Sequence, residues 1–210
     1  NINDLAFFSA MTSYFEETLN INKHEVFATG LSNGGHMAYR LALELPGLVK
    51  AIAAMAANLP VDSNLDCEKS GKPLSVAIFN GTNDPINPYD GGLVVILGNA
   101  SRGEVLSSTD TISYWLGLAG ISQQAQRIEY PEVDGNTGTS VHEDRWTAGD
   151  GLQVRLYTLV GSGHVVPSKI ARTPRILGGD AGDISAPEEI VSFFLGLASD
   201  QDKLPVAKPQ

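Results

Sequence analysis

The sequence predicts an α/β fold in which a mostly parallel sheet is covered by helices on both faces. Two observations lead to this class. Strand-like and helix-like segments alternate along the 210 residues. Several of the strand-like segments are short apolar runs, which is typical of strands buried on both faces. Because no repeat or linker interrupts the chain, we expect a single domain over residues 1–200 and a polar tail over 201–210.

The first half of the chain supplies two strands and two helices. Apolar residues at three- and four-residue spacing predict a helix over residues 4–19. Residues 25–30 form a short apolar run that ends in glycine and predicts a buried strand. A helix is expected to follow Ser32 and to stop at Pro46-Gly47. Residues 48–56 predict a second strand, with a helix as the open alternative.

The second half begins with an apolar strand over residues 75–80, which breaks into a turn-rich loop. Residues 110–118 have a helical pattern. Three β-rich segments follow, over residues 126–133, 140–147 and 152–160. The apolar face of residues 187–197 predicts a closing amphipathic helix.

Composition excludes several classes of partner. The net charge is −10 and no cluster of Lys or Arg is present, which argues against nucleic acids and anionic membrane surfaces. The sequence contains no run of 18 apolar residues, so no membrane-spanning helix is predicted. Cys67 is the only cysteine, so it has no disulfide partner within this chain and no second thiol for a zinc site.

The stretch Gly30-Leu31-Ser32-Asn33-Gly34 fits the pattern G-x-S-x-G between a predicted strand and a predicted helix. A serine raised above a sheet in such a strained turn is a candidate nucleophile, and flanking glycines avoid steric clashes. The backbone N–H of Asn33, at the start of the helix, is a candidate oxyanion donor. The alternative is a flexible turn without chemistry.

A serine nucleophile needs a base, and the base needs a carboxylate that orients it. Among four histidines, His164 lies in a glycine-rich loop after a strand, where open α/β sheets place their chemistry. Asp84 follows the strand over residues 75–80 and is the best placed acid between Ser32 and His164. Asp90 lies in the same loop, six residues further on. His36 is close enough to pack near the turn, but its position on the helix is expected to point it away from the Ser32 hydroxyl.

Five stretches of the chain resemble the polyhydroxybutyrate depolymerase-like and feruloyl-esterase-like α/β-hydrolases. They are FATGLSNGGHMAYRLA, AANLP, FNGTNDPINPYDGG, LYTLVGSGHVVP and RILGGDAGDISAPEEIVSFF. The resemblance implies an α/β-hydrolase fold and an extracellular or periplasmic serine esterase. It also implies that Ser32 is the nucleophile, Asp84 the acid and His164 the base.

The sequence departs from this family in three respects. Asn80 stands where the family usually has a histidine, and Val165-Val166 stands where it often has Thr-Trp. The family's N-terminal strands, with the loop that gives a second oxyanion donor, have no counterpart in these residues. We therefore expect the hydrolase domain to be truncated at its N-terminus.

The resulting expectation is hydrolysis of a carboxylic ester through an acyl-enzyme, on a small or polymeric substrate. Feruloyl-type aryl esters, acetyl esters and polyhydroxyalkanoate-type esters are the candidate substrates. Tyr89, Trp115 and Val165 are the candidate substrate-binding residues, and for Tyr89 and Trp115 a place in the core or at its rim is the alternative. A serine triad requires neither a metal nor an organic cofactor, and none is predicted. The alternatives are a serine peptidase of the same fold and a non-catalytic binding domain derived from a hydrolase.

Overall fold

The computed structural model describes residues 3–133, 135, 138–171 and 173–198. The predicted tail over residues 201–210 lies outside this part of the chain. The described residues form eight strands and four α-helices. The strands are β1 (Phe27–Leu31), β2 (Ala51–Met55), β3 (Ser75–Gly81), β4 (Gly92–Leu93), β5 (Glu104–Val105), β6 (Gln126–Glu129), β7 (Ser140–Thr147) and β8 (Gln153–Val160). The helices are α1 (Asp4–Leu19), α2 (Asn33–Glu44), α3 (Ser108–Leu118) and α4 (Ala186–Leu197).

Six strands form one mixed sheet in the order β1-β2-β3-β8-β7-β6, and β4 pairs with β5 in a separate ribbon. The first four strands of that order are parallel. Strands β7 and β6 are antiparallel to their neighbours, which the sequence patterns did not distinguish. The predicted mostly parallel sheet is thus confirmed, with an antiparallel extension at one edge.

The strand register brings the carboxyl ends of the parallel strands to one edge of the sheet. Leu31 is level with Met55, Met55 with Phe79, and Phe79 with Tyr157. The loops that follow β1, β3 and β8 therefore emerge side by side, as expected for a site on an open α/β sheet.

Helices cover the sheet on both faces, as predicted. On one face, α2 and α3 pack onto β2 and β3 through a cluster that includes Tyr39 and Trp115. On the other face, α4 packs through Phe193 against a cluster that includes Phe79 and Tyr157. Burying each of these large side chains stabilises the fold by roughly 1.5–3 kcal/mol. Within the described residues, no helix is long and apolar enough to cross a bilayer.

The observed boundaries agree closely with the sequence patterns. Helix α1 covers the predicted residues, because Asn3 caps its start by accepting a hydrogen bond from the Ala6 N–H. Helix α3 begins two residues earlier than predicted, where the Ser107 side chain accepts from the Asp110 N–H. The segment over residues 48–56 is the strand β2, and not the alternative helix.

Candidate active site

Ser32 lies in a sharp turn between β1 and α2, where the sequence predicts a raised nucleophile. Its backbone has φ 55° and ψ −114°, a conformation that side-chain-bearing residues rarely adopt. Holding a residue there costs roughly 1–3 kcal/mol and persists only where the surroundings impose it. Here the Ser32 N–H donates to the Met55 carbonyl at 2.8 Å, and the Ser32 carbonyl accepts from the His36 N–H at 3.0 Å.

The glycines around Ser32 permit close packing of the turn, although not all for the predicted reason. A Cβ on Gly30 would overlap the backbone of Gly34, so Gly30 is required. A Cβ on Gly34 itself would meet nothing within 4 Å, and the expectation of a clash there is wrong. The next residue, Gly35, is the constrained one, because its Cβ would lie 2.8 Å from the Ala57 Cβ.

Asp84 and His164 form a buried pair at the same edge of the sheet. The Asp84 Oδ2 lies 2.8 Å from the His164 Nδ1, and their side chains are 1% and 7% exposed. The other carboxylate oxygen accepts hydrogen bonds from the N–H groups of Ile86 at 2.8 Å and Asn87 at 2.9 Å. Because a carboxylate accepts from Nδ1–H, the neutral imidazole keeps its lone pair on Nε2, as a general base requires.

The backbone of the loop after β8 fixes the position of the imidazole. The His164 N–H donates to the Leu177 carbonyl at 2.6 Å, and the Gly163 N–H donates to the Gly179 carbonyl at 2.8 Å. A Cβ on Gly163 would overlap Leu177, and a Cβ on Gly81 would overlap the loop before His164. Glycine at both places therefore lets the acid loop and the histidine loop touch.

A network of buried polar side chains lies behind the acid loop, and the sequence patterns did not reveal it. The Asn80 amide donates to the Asn58 Oδ1 at 2.7 Å and to the Ser108 Oγ at 2.9 Å. The Asn58 N–H donates to the Asn87 Oδ1 at 3.3 Å, and the Asn87 N–H holds Asp84. Asn80, noted above only as a departure from a family pattern, thus ties β3 to the segment after β2 and to α3.

Ser32 lies at the same edge of the sheet as Asp84 and His164, and within the described residues it is not hydrogen-bonded to either side chain. Parallel strands lie roughly 4.8 Å apart, so the ends of β1 and β3, two strands apart, are about 10 Å from each other. Among the contacts of the described residues, no hydrogen bond joins the Ser32 hydroxyl to the His164 imidazole. Bonds between a nucleophile and its base are often long before the substrate binds.

A cleft of about 400 Å³ opens beside Ser32. Asn33, His36 and Arg102 contribute to its walls. His36 lies about one helical turn from Ser32 and lines the same cleft, and no hydrogen bond within the described part of the chain joins its ring to the Ser32 hydroxyl. Burial lowers the His36 pKa, the Asn58 carbonyl opposes that shift, and the nearby His164 adds to it. Asn33 is the first residue of α2, where the helix offers its N–H no acceptor.

None of the three candidate substrate-binding residues lines this cleft. Trp115 is 1% exposed and packs against Tyr39 and Tyr114, so it belongs to the core. Val165 is also 1% exposed and cannot contact a substrate there. The Tyr89 hydroxyl is half-buried against the Thr158 hydroxyl at 2.9 Å, away from the cleft walls. Trp115 and Val165 are thus buried, whereas Tyr89 is half-buried and lies outside the lining of the cleft.

Two further groups bear on chemistry. In the part of the chain that the structure describes, no three His, Cys, Asp or Glu side chains are grouped to hold a metal ion. Cys67 is half-buried, and burial followed by its contact with Glu44 raises the pKa of its thiol to about 11. Since a reactive cysteine needs a lowered pKa, Cys67 is not a competing nucleophile.

The chain is similar to proteins named as esterases. It is 27% identical over 200 residues to the "Putative esterase NocK" of Nocardia uniformis subsp. tsuyamanensis, covering 92% of this chain and 57% of that protein. It is 32% identical over 95 residues to feruloyl esterase C of Emericella nidulans, covering 45% of this chain and 34% of that protein. The chain thus spans little more than half, or a third, of these relatives. No protein-family model matches it.

Among solved structures, the acetyl xylan esterase of Aspergillus awamori superposes with a TM-score of 0.53 at 18% identity. The match covers 93% of this chain and 68% of that one. It shows that the fold is that of an α/β-hydrolase. Together with the sequence relatives, it confirms the resemblance to esterase-like α/β-hydrolases.

Proposed function

We propose that this protein hydrolyses carboxylic esters with Ser32 as nucleophile, His164 as general base and Asp84 as the orienting acid. The observation that carries the proposal is the buried 2.8 Å hydrogen bond between Asp84 and His164. This pair emerges at the sheet edge that also presents Ser32 in a strained turn. Backbone strain of this kind is concentrated at functional sites, and the turn that raises a nucleophile above a sheet is one such case.

In this mechanism the His164 Nε2 removes the Ser32 hydroxyl proton while the Ser32 Oγ attacks the ester carbonyl. The negative charge that develops on the carbonyl oxygen is stabilised by the Asn33 N–H and the start of α2. Collapse of the tetrahedral intermediate breaks the ester bond, and His164 returns the proton to the leaving alcohol. Water then attacks the acyl-enzyme with the same histidine as base. Asp84 stays ionised throughout and stabilises the imidazolium.

The substrate class is proposed from chemistry and from the names of the relatives. Feruloyl-type aryl esters, acetyl esters and polyhydroxyalkanoate-type esters all present the same scissile bond to Ser32. The first two are the bonds for which the similar proteins are named. An extracellular or periplasmic location follows from the same resemblance and is part of the proposal.

Hydrolysis of p-nitrophenyl acetate and butyrate by the wild type and Ser32→Ala tests the proposal. Ser122→Ala, at an exposed serine after α3, is the matched control. We expect Ser32→Ala to lose roughly a thousandfold or more in kcat/KM and the control to match the wild type. Equal rates for the wild type and Ser32→Ala would refute the proposal. Faster cleavage of aminoacyl-nitroanilides than of esters would favour the peptidase, and no turnover of either would favour a binding domain.

A further inference from the structure

Arg102 is a charged wall of the cleft that opens beside Ser32. Its guanidinium makes no hydrogen bond or ion pair with any residue that the structure describes. The other arginines whose side chains are described all have carboxylate partners. Arg40 pairs with Glu44, Arg127 with Asp144, and both Arg145 and Arg155 with Glu143.

The backbone that carries Arg102 is held in place by Asn64. The Asn64 amide donates to the carbonyls of Arg102 at 3.1 Å and Glu104 at 3.2 Å. Between them, Gly103 has φ +79°, and a Cβ there would overlap the Asn64 side chain. Asn64 itself lines the same cleft as Ser32. These contacts therefore hold the backbone from which the Arg102 side chain extends at the wall of the cleft.

The charge balance of the chain makes this position unusual. With a net charge of −10, the protein as a whole repels anions. Within the cleft, His36 adds no second positive charge at neutral pH, because its pKa is lowered. The Arg102 guanidinium thus offers the cleft a single positive charge and a planar fork of N–H donors. Both the charge and the geometry fit one carboxylate. The same fork could also donate to a phosphate monoester, but that group carries nearly two negative charges and Arg102 supplies one positive charge.

We propose that the Ser32 cleft binds esters that carry a carboxylate group, and that Arg102 binds this group. Arg102 is a specificity-determining residue in this assignment, and it takes no part in bond breaking. The inference rests on the proposed ester hydrolysis. The carboxylate belongs to the acyl part of the substrate or to its alcohol part, and the experiment below distinguishes the two.

Two matched pairs of esters test the proposal. Mono-p-nitrophenyl adipate and its methyl ester differ only in an acyl-side carboxylate. The compounds 4-acetoxybenzoate and methyl 4-acetoxybenzoate differ only in a carboxylate on the leaving group. We compare kcat/KM for the wild type, Arg102→Gln, Arg102→Lys and the control Arg127→Gln, whose arginine lies on β6.

For at least one pair, we expect the wild type to prefer the charged ester roughly tenfold, which corresponds to about 1.4 kcal/mol. Arg102→Gln should lose that preference, because kcat/KM should fall far more for the charged esters than for the neutral ones. Arg102→Lys should keep part of the preference, and Arg127→Gln should keep it all. The pair that shows the effect identifies the side of the scissile bond that faces Arg102.

Failure of this inference is distinct from failure of the proposed function. If the wild type hydrolyses neutral and charged esters equally, or if Arg102→Gln keeps the preference, the inference is overturned while ester hydrolysis stands. An equal loss on charged and neutral esters in Arg102→Gln would make Arg102 a structural residue and would also overturn it. If the wild type hydrolyses none of the four esters and Ser32 proves inert, both proposals fail.

Discussion

Replacing Asp84 with asparagine exchanges one carboxylate oxygen for an NH₂ group and should prevent His164 from acting as a base. Two backbone N–H groups, of Ile86 and Asn87, hold Oδ1 as an acceptor at 2.8 Å and 2.9 Å. In Asp84→Asn these donors retain the amide oxygen, so the NH₂ group occupies the Oδ2 position, 2.8 Å from the His164 Nδ1. An amide donor there stabilises the tautomer that carries its proton on Nε2. That tautomer cannot accept the Ser32 proton.

The expected loss in kcat/KM is about 10³–10⁴-fold, which is roughly 4–5.5 kcal/mol of transition-state stabilisation. The free energy of unfolding should fall by only about 1–2 kcal/mol, because shape and hydrogen-bond count are retained. Hydrolysis of p-nitrophenyl acetate and urea denaturation measure the two quantities. Asp90→Asn, at an exposed acid in the same loop, is the control and should keep wild-type activity. Retention of more than about a tenth of the wild-type activity by Asp84→Asn would refute this role for the pair.

Two further predictions concern the turn around Ser32. Gly35→Ala should lower the free energy of unfolding by about 1–3 kcal/mol in urea denaturation, because its Cβ would lie 2.8 Å from the Ala57 Cβ. Gly34→Ala should be nearly neutral, because its Cβ would meet nothing within 4 Å. Equal effects of the two substitutions would contradict the packing described. The His36 pKa is lowered in the folded state, so the unfolded chain takes up the proton first as the pH falls below 6.5, and stability is lost there. His36→Gln should therefore lose less stability than the wild type between about pH 6.5 and pH 5, and parallel losses would disprove the assignment.

The fold could be predicted from the sequence because its signals are local. Apolar spacing defines α1, and the alternation of apolar runs with helical patterns defines the sheet and its layers. Ser32, Asp84 and His164 each follow a strand, so their common edge was implied once the strands were parallel. The sequence did not show that β7 and β6 run antiparallel to their neighbours, because a β-rich pattern does not reveal which strand it pairs with.

Several features of the site depend on tertiary packing and escaped prediction for that reason. The sequence leaves Trp115 open between a pocket and the core, and only the packing of α3 places it in the core against Tyr39. The Asn80–Asn58 hydrogen bond joins residues 22 positions apart, and no sequence spacing marks it. The one sequence signal for this network was Asn80 itself, a short polar residue in the mostly apolar strand β3.

The central claim is that Ser32 is a nucleophile activated by the Asp84–His164 pair, and covalent labelling tests it most directly. A fluorophosphonate reacts only with an activated serine, and peptide mass spectrometry locates the adduct. We predict one adduct per chain, on Ser32, formed at least about a hundredfold more slowly in His164→Gln. An adduct on another serine, or equal labelling rates in the wild type and His164→Gln, would contradict the account.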